Sequence, residues 1–353
     1  MTVMAFYWLL FCFVLLWASL MILQDFDVLG STSAARFSTR FIFITVVSLF
    51  AGYFSDAGSF DYDNYVDLLN EAPPTTVWQL ITLKDPFFQL MGFMFRSSDG
   101  SLAFLMFFIT FISLGLKIII LDGKHYKNIF GLAVVFLLAR FFLLHEFTQV
   151  RAALGIAFVS ISIMYAMENK LVLVVVSLAL AVMTHLSTIV LLPAVLLVYQ
   201  VNAKIKLFIF IFLAVAFSVV ISNFDIESFS RISPYLTGEY YVAENTIFSF
   251  YFLFKVIVSA SLFYQWKSLT PALRHALIIS VYGLFLTWFF LKNEVLSLRL
   301  GELTAVFDCL CFAYFFKYGL KLDYFYGYLA GIFIAGIFYY SSTNIVNPLT
   351  LNF

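Results

Sequence analysis

Histidine, glutamate, glutamine and arginine crowd into one short stretch of a very apolar chain, His145-Glu146-Phe147-Thr148-Gln149-Val150-Arg151. A second polar break, Thr184-His185-Leu186-Ser187, follows after an apolar span, the turn Glu168-Asn169-Lys170 and a further apolar run. Ionisable groups are costly near lipid, and where they persist they mark function by default. If Thr148 caps a helix that begins at Gln149, the amides of 149–151 point outward beside the Arg151 guanidinium and form an anion site. Arg140 lies eleven residues earlier, about three turns below, and either joins that site or pairs with Glu146. Arg151 has no obvious partner in its own loop. Imidazole is the usual general base near neutral pH, so His185 is a candidate base. The plainer alternative is a hydrogen-bonded histidine that closes a tight turn with Thr184 and Ser187.

Three further groups carry possible chemistry. Asp61-Tyr62-Asp63 is a D-x-D, which can hold a metal-bound nucleotide sugar, although two acids on an acidic surface helix also arise by chance. Arg231-Ile232-Ser233-Pro234-Tyr235 opens a tyrosine-rich loop whose rings suit either the C–H face of a pyranose or anchoring at a membrane interface. Arg299 and Glu302 sit three apart near a helix start, followed by Asp308, and read as an ion pair or as part of a site. There is no phosphate-binding P-loop, no dinucleotide fingerprint, no C-x-x-C and no H-E-x-x-H, so ATP hydrolysis and zinc or redox chemistry have no motif behind them. Cys12, Cys309 and Cys311 lie in apolar runs as packing residues.

What positions these groups is a membrane bundle. The chain is 63% hydrophobic and 11% charged, with mean hydropathy +1.00, a surface that no aqueous domain could solvate. The expected fold is all-α: one polytopic integral membrane domain over 1–353. The apolar runs predict helices at 5–23, 38–54, 101–117, 129–146, 151–167, 171–184, 188–200, 207–222, 249–265, 275–291, 302–316 and 324–341. The first lacks a basic flank and a cleavage site and reads as a retained span. Segments 171–184 and 188–200 are short, and either form one long helix or turn at His185. Charge favours the turn. With both termini outside, twelve of the twenty lysines and arginines but five of the twenty acids fall on the cytoplasmic side, Lys117 and Lys317 among them. That gives about twelve crossings and outer-face loops near 55–100, 223–248 and 292–301.

The first outer loop has structure of its own. Tyr62, Tyr65, Val66 and Leu69 recur at helical spacing, which predicts an amphipathic helix lying on the bundle with its carboxylates toward water. Pro73-Pro74 ends it, and Asp85-Pro86 then starts a short re-entrant or interfacial helix that reaches Phe95.

The order of these motifs carries a resemblance. Asp61-x-x-x-Tyr65 after the second span, Gln149-x-Arg151-x-x-Leu154, the His185-x-Ser187 turn, Arg231-x-x-x-Tyr235 and a late Arg299 resemble the EpsG-like branch of the Wzy polysaccharide polymerases, over about 36–316. Gly155 stands where such proteins usually have alanine nearby. The resemblance implies a polymerase of O-antigen or exopolysaccharide repeat units at the outer face of a bacterial inner membrane. The donor would be a growing glycan on undecaprenyl diphosphate, the acceptor a new lipid-linked repeat unit. A chain-length regulator is a possible partner; no cofactor, resident metal or nucleic acid is expected. Arg151 and Arg299 would then hold the diphosphate, with Gln149, Arg140, Arg231, Tyr65, Tyr235 and Ser187 lining the site. His185 is the first candidate for the base and Asp61 the second. Rival readings are a lipid-linked oligosaccharide flippase, which should show matching halves with comparable charges, a lipid-phosphosugar-dependent glycosyltransferase centred on Asp61-x-Asp63, and a histidine-using membrane O-acyltransferase.

Overall fold

A computed structural model describes residues 4–25, 32–59, 61–70, 76, 85–97, 101–199, 249–291 and 294–346. The described residues are helical, with no strand among them. In chain order they form α1 (Met4–Asp25), α2 (Ser33–Gly58), α3 (Tyr62–Asn70), α4 (Pro86–Ser97), α5 (Leu102–Leu121) and α6 (Phe130–Phe136), which continues as a π-helix, Leu137–Thr148. Then come α7 (Val150–Met167), α8 (Leu171–Thr184), a 3₁₀ turn (Leu186–Leu191), α9 (Leu192–Val198), α10 (Phe250–Tyr264), α11 (Pro271–Phe289), α12 (Glu294–Glu302), α13 (Ala305–Tyr314) with a π segment (Phe315–Gly319), and α14 (Tyr324–Ser342). Among the described residues six helices are long and apolar enough to cross a membrane, and three shorter apolar ones join them. The expected helix 207–222, the loop 223–248, and with them Arg231 and Tyr235, lie outside the described residues.

The segment Lys127–Thr148 is the axis of the bundle: 94% of its apolar stretch is buried, against 33% for Ala5–Leu23. Its second half is wound with i→i+5 bonds; the Gln149 amide, for instance, donates to the Leu144 carbonyl at 2.9 Å. In an α-helix residues five apart point roughly 140° away from each other. In π turns that close over five residues they come to one side, and π turns occur frequently at functional sites. Arg140 and His145 are brought onto one face in this way, and both meet Glu302.

Among the described residues, one part of the interhelical polar contacts lies at two ends. At one, Trp17 donates to the Thr39 carbonyl, Arg40 pairs with Asp122, Tyr126 donates to the Ala272 carbonyl, Gln265 to the Gly319 carbonyl, and Lys317 to the Asn128 carbonyl. At the other, Tyr339 donates to the Tyr7 carbonyl, Ser342 to the Arg140 carbonyl and Tyr65 to the Thr148 carbonyl. The chain breaks at His185, whose extended backbone (φ −155°, ψ 105°) cannot continue a helix, and α9 packs back against α7. The one-helix alternative for 171–200 is thereby excluded.

Several expectations change. Lys117 is no loop residue: α5 runs on to Leu121, and Lys117 is fully buried against Glu146. Lys317 is also buried, within the π segment that ends α13. The outer loop 292–301 is largely helix α12, so Arg299 and Glu302 close one helix instead of opening the next. By contrast α3 lies as expected, with Tyr65 buried and Asp63 and Asp67 exposed, and α4 starts at Pro86.

Candidate functional site

At the start of α7 the geometry overturns one expectation and sharpens another. Thr148 does not cap this helix: its hydroxyl donates back to the Leu143 carbonyl at 2.8 Å, and Gln149 is the single residue between the π-helix and α7. The Gln149 amide is already bonded, so the first amides that α7 leaves without an intrahelical acceptor are those of 150–152. Arg151, on that first turn, has a partner after all, from 66 residues upstream: its Nη1 meets Asp85 Oδ2 at 2.5 Å. The guanidinium also lies over the rings of Tyr65 (5.4 Å) and Phe88 (5.9 Å), a stacking that lysine reproduces poorly.

Asp85 sits at φ 54°, in the left-handed region that disfavours a residue with a Cβ. Its carbonyl receives the Gln89 amide and its carboxylate turns to Arg151. Thus α4, too short to span, serves to bring a carboxylate and Phe88 to the arginine. Tyr65, from α3, completes the wall by donating from its hydroxyl to the Thr148 carbonyl at 2.9 Å. Burial and the Asp61 carboxylate push its ionisation up, while the Arg151 and Arg299 cations oppose this, so Tyr65 stays a neutral donor. Asp61, Tyr65, Arg151 and Arg299 therefore share one electrostatic neighbourhood. Asp61 accepts from Asn64 Nδ2, and Asp63 faces outward.

The His185 turn packs against α7 at Gly155. A Cβ on Gly155 would come within 2.9 Å of both His185 Cβ and Thr188 Cγ2, so only glycine lets the turn press against α7. Gly155 follows Arg151 by four residues, one helical turn or about 6 Å along the same face. The turn is closed by Thr188, whose hydroxyl donates to the His185 carbonyl at 2.8 Å, where Ser187 was expected; Ser187 itself is half-buried.

Deeper in the bundle lies a set of charges that the sequence had only partly disclosed. Arg140 pairs with Glu302 at 2.5 Å, not with Glu146, and stacks over Tyr251 at 4.7 Å. His145 Nε2 is 3.9 Å from the same Glu302 carboxylate. Glu146 instead takes Lys117, with Ser113 at 3.4 Å. Lys255 binds Asp308 (2.8 Å) and Thr304 (2.9 Å), and Tyr251 donates to Asp308 at 2.6 Å. Arg299 acts on Glu302 electrostatically, but the pair expected between them gives way to Arg140. Three cations and three carboxylates thus neutralise one another in the interior. Lys117 and Lys255 were missed, and the signal available was a lone lysine inside an apolar run on each of α5 and α10.

Among the described residues no group of three or more His, Cys, Asp or Glu side chains is arranged to hold a metal. The sequence model of the EpsG family matches residues 37–352. No curated protein matches the chain, and no solved structure does.

Proposed function

The chain belongs to the EpsG family, membrane proteins of polysaccharide-polymerase type, and from that premise we propose that it transfers a growing glycan from undecaprenyl diphosphate to a lipid-linked repeat unit at the outer face of a bacterial inner membrane. The observation that supports this reading is the contact of Gly155 with the His185 turn, which holds the backbone of a candidate base against α7 one helical turn along from Arg151. In the proposed reaction the acceptor hydroxyl attacks the anomeric carbon, His185 takes its proton, and the diphosphate leaves. The negative charge that grows on the leaving group is met by Arg151, Arg299 and the free amides of 150–152, donors fixed before the reaction begins.

Asp85 has two parts in this proposal. In the resting protein it neutralises Arg151, and it fixes the planar guanidinium so that its remaining N–H groups face the diphosphate. Asp61 is the second candidate for the base, since it lies in the same field. Direct attack inverts the anomeric configuration. The deep set around Arg140, Lys255 and Lys117 is assigned to holding the helices in register.

The test is reconstitution of the purified protein with a synthetic lipid-diphosphate repeat unit. A ladder of products supports polymerisation. Movement of the intact unit across the bilayer without a ladder would support a flippase and overturn the proposal.

A further inference from the structure

At the end of the bundle opposite Arg151 lies a cavity of about 370 Å³, lined by Lys124, His125, Lys127, Leu273, Tyr314 and Tyr318 among others, none of them acidic. The volume is at the small end of ligand sites, which span roughly 300–1,000 Å³, and suits a headgroup better than an oligosaccharide. Its floor is fixed: Tyr126 is buried and donates to the Ala272 carbonyl at 3.1 Å, and Thr270 caps α11 through the Leu273 amide. The neighbouring acid, Asp122, is already held by Arg40. The Asn128 carbonyl, which would otherwise turn a negative dipole toward the cavity, accepts from Lys317. The result is a concave cavity with two lysines and two tyrosines in its lining, and with Asp122 and the Asn128 carbonyl engaged by other cations.

We propose that this cavity binds a phosphate ester of the kind borne by anionic lipid headgroups. Lys124 and Lys127 supply the charge, and the Tyr314 and Tyr318 hydroxyls supply directional donors. Beside the cavity Tyr324, 5.7 Å from Tyr318 ring to ring, and Phe325 are exposed. They offer an apolar track for an acyl chain leaving the headgroup, which places a lipid ahead of free phosphate as the source. Basic recesses between helices recognise lipid phosphates in this manner, each lysine adding to the attraction that the membrane surface already exerts.

The full chain is reconstituted in phosphatidylcholine bilayers with increasing phosphatidylglycerol, and in parallel is held in detergent with added inorganic phosphate; the unfolding temperature is read in both. Phosphatidylglycerol should raise it along a saturating curve. The double variant Lys124→Gln/Lys127→Gln should need about tenfold more anionic lipid or should not respond, while Lys170→Gln, an exposed lysine paired with Glu168, should behave as wild type. Should the double variant fail to fold, His125→Gln with Tyr318→Phe makes the same test. A lysine-dependent rise with inorganic phosphate alone would support the phosphate site but assign it to a soluble ligand. An equal rise in wild type and in the cavity variants would mean that only the general surface potential acts, and with no rise in either arm the proposal also fails.

Discussion

Arg151 and Arg140 each pair with a carboxylate at 2.5 Å, yet their surroundings differ. The Arg140 pair is closed in on both sides, its side chains 9% and 2% exposed, with Tyr251 over the guanidinium and Ser342 on the Arg140 carbonyl. Arg151 is 19% exposed, on the first turn of a helix whose leading amides are free of intrahelical bonds, and a half-buried histidine lies one turn along. A ligand that reached Arg140 would have to open the core. One that reached Arg151 would need only to share it with Asp85. The same pairing is closed off in one region and partly open in the other.

The largest effects are expected on the buried side. Lys117→Ala strands Glu146, and Glu302→Ala strands Arg140, each in a buried site. Either should cost about 3–5 kcal/mol, read as a large fall in unfolding temperature or as loss of inserted protein. Replacing both partners, as in Lys117→Met with Glu146→Gln, should recover most of that loss. If the single variants are as stable as wild type, the deep pairs are not structural.

On the exposed side the largest effect is expected at His185. His185→Ala should slow elongation by about 10²–10⁴-fold while leaving donor binding nearly unchanged, because a base acts on the chemical step. A base must be unprotonated to accept. The wild-type rate should therefore rise with pH, and the variant's rate should be flatter. If the variant polymerises at the wild-type rate, His185 only closes the turn, and Asp61 is the base to test next.

A smaller effect sharpens the link between base and cation. Gly155→Ala places a methyl group 2.9 Å from His185 Cβ and Thr188 Cγ2, an overpacking worth about 1–3 kcal/mol. Because the turn can move, activity should fall more than stability does. Equal losses of both would mean that the contact matters only for packing. The smallest expected effect concerns metal: activity should survive exhaustive chelation, and Asp63→Asn should be tolerated. Loss with EDTA and recovery with Mg²⁺ or Mn²⁺ would shift the mechanism to Asp61-x-Asp63.

The apolar runs were legible because a span in lipid must satisfy its own backbone, and length and composition alone then give the helices. The break at His185 followed from charge bookkeeping between the ends. Three features were not legible, for physical reasons. Lys117 stands four residues before the end of α5, where a hydropathy profile treats a lysine as the edge of a loop. Arg140 and His145 face one carboxylate because the helix is wound as π there, and α periodicity gives no hint of that. Asp85 pairs with Arg151 across 66 residues of chain, beyond any local rule, although the Asp-Pro start of α4 was visible. Gly155, at first only a departure from the family pattern, marks the point where a turn has to come close.

In the proposed reaction Arg151 serves through its guanidinium and not through its charge alone. Arg151→Lys keeps a cation able to reach Asp85, but it lacks the planar fork that grips two diphosphate oxygens and stacks on Tyr65. The purified variant should unfold near the wild-type temperature and should give almost no ladder from a lipid-diphosphate repeat unit, nearly as little as Arg151→Ala. A full ladder from Arg151→Lys would contradict the account, leaving Arg151 as one more structural charge.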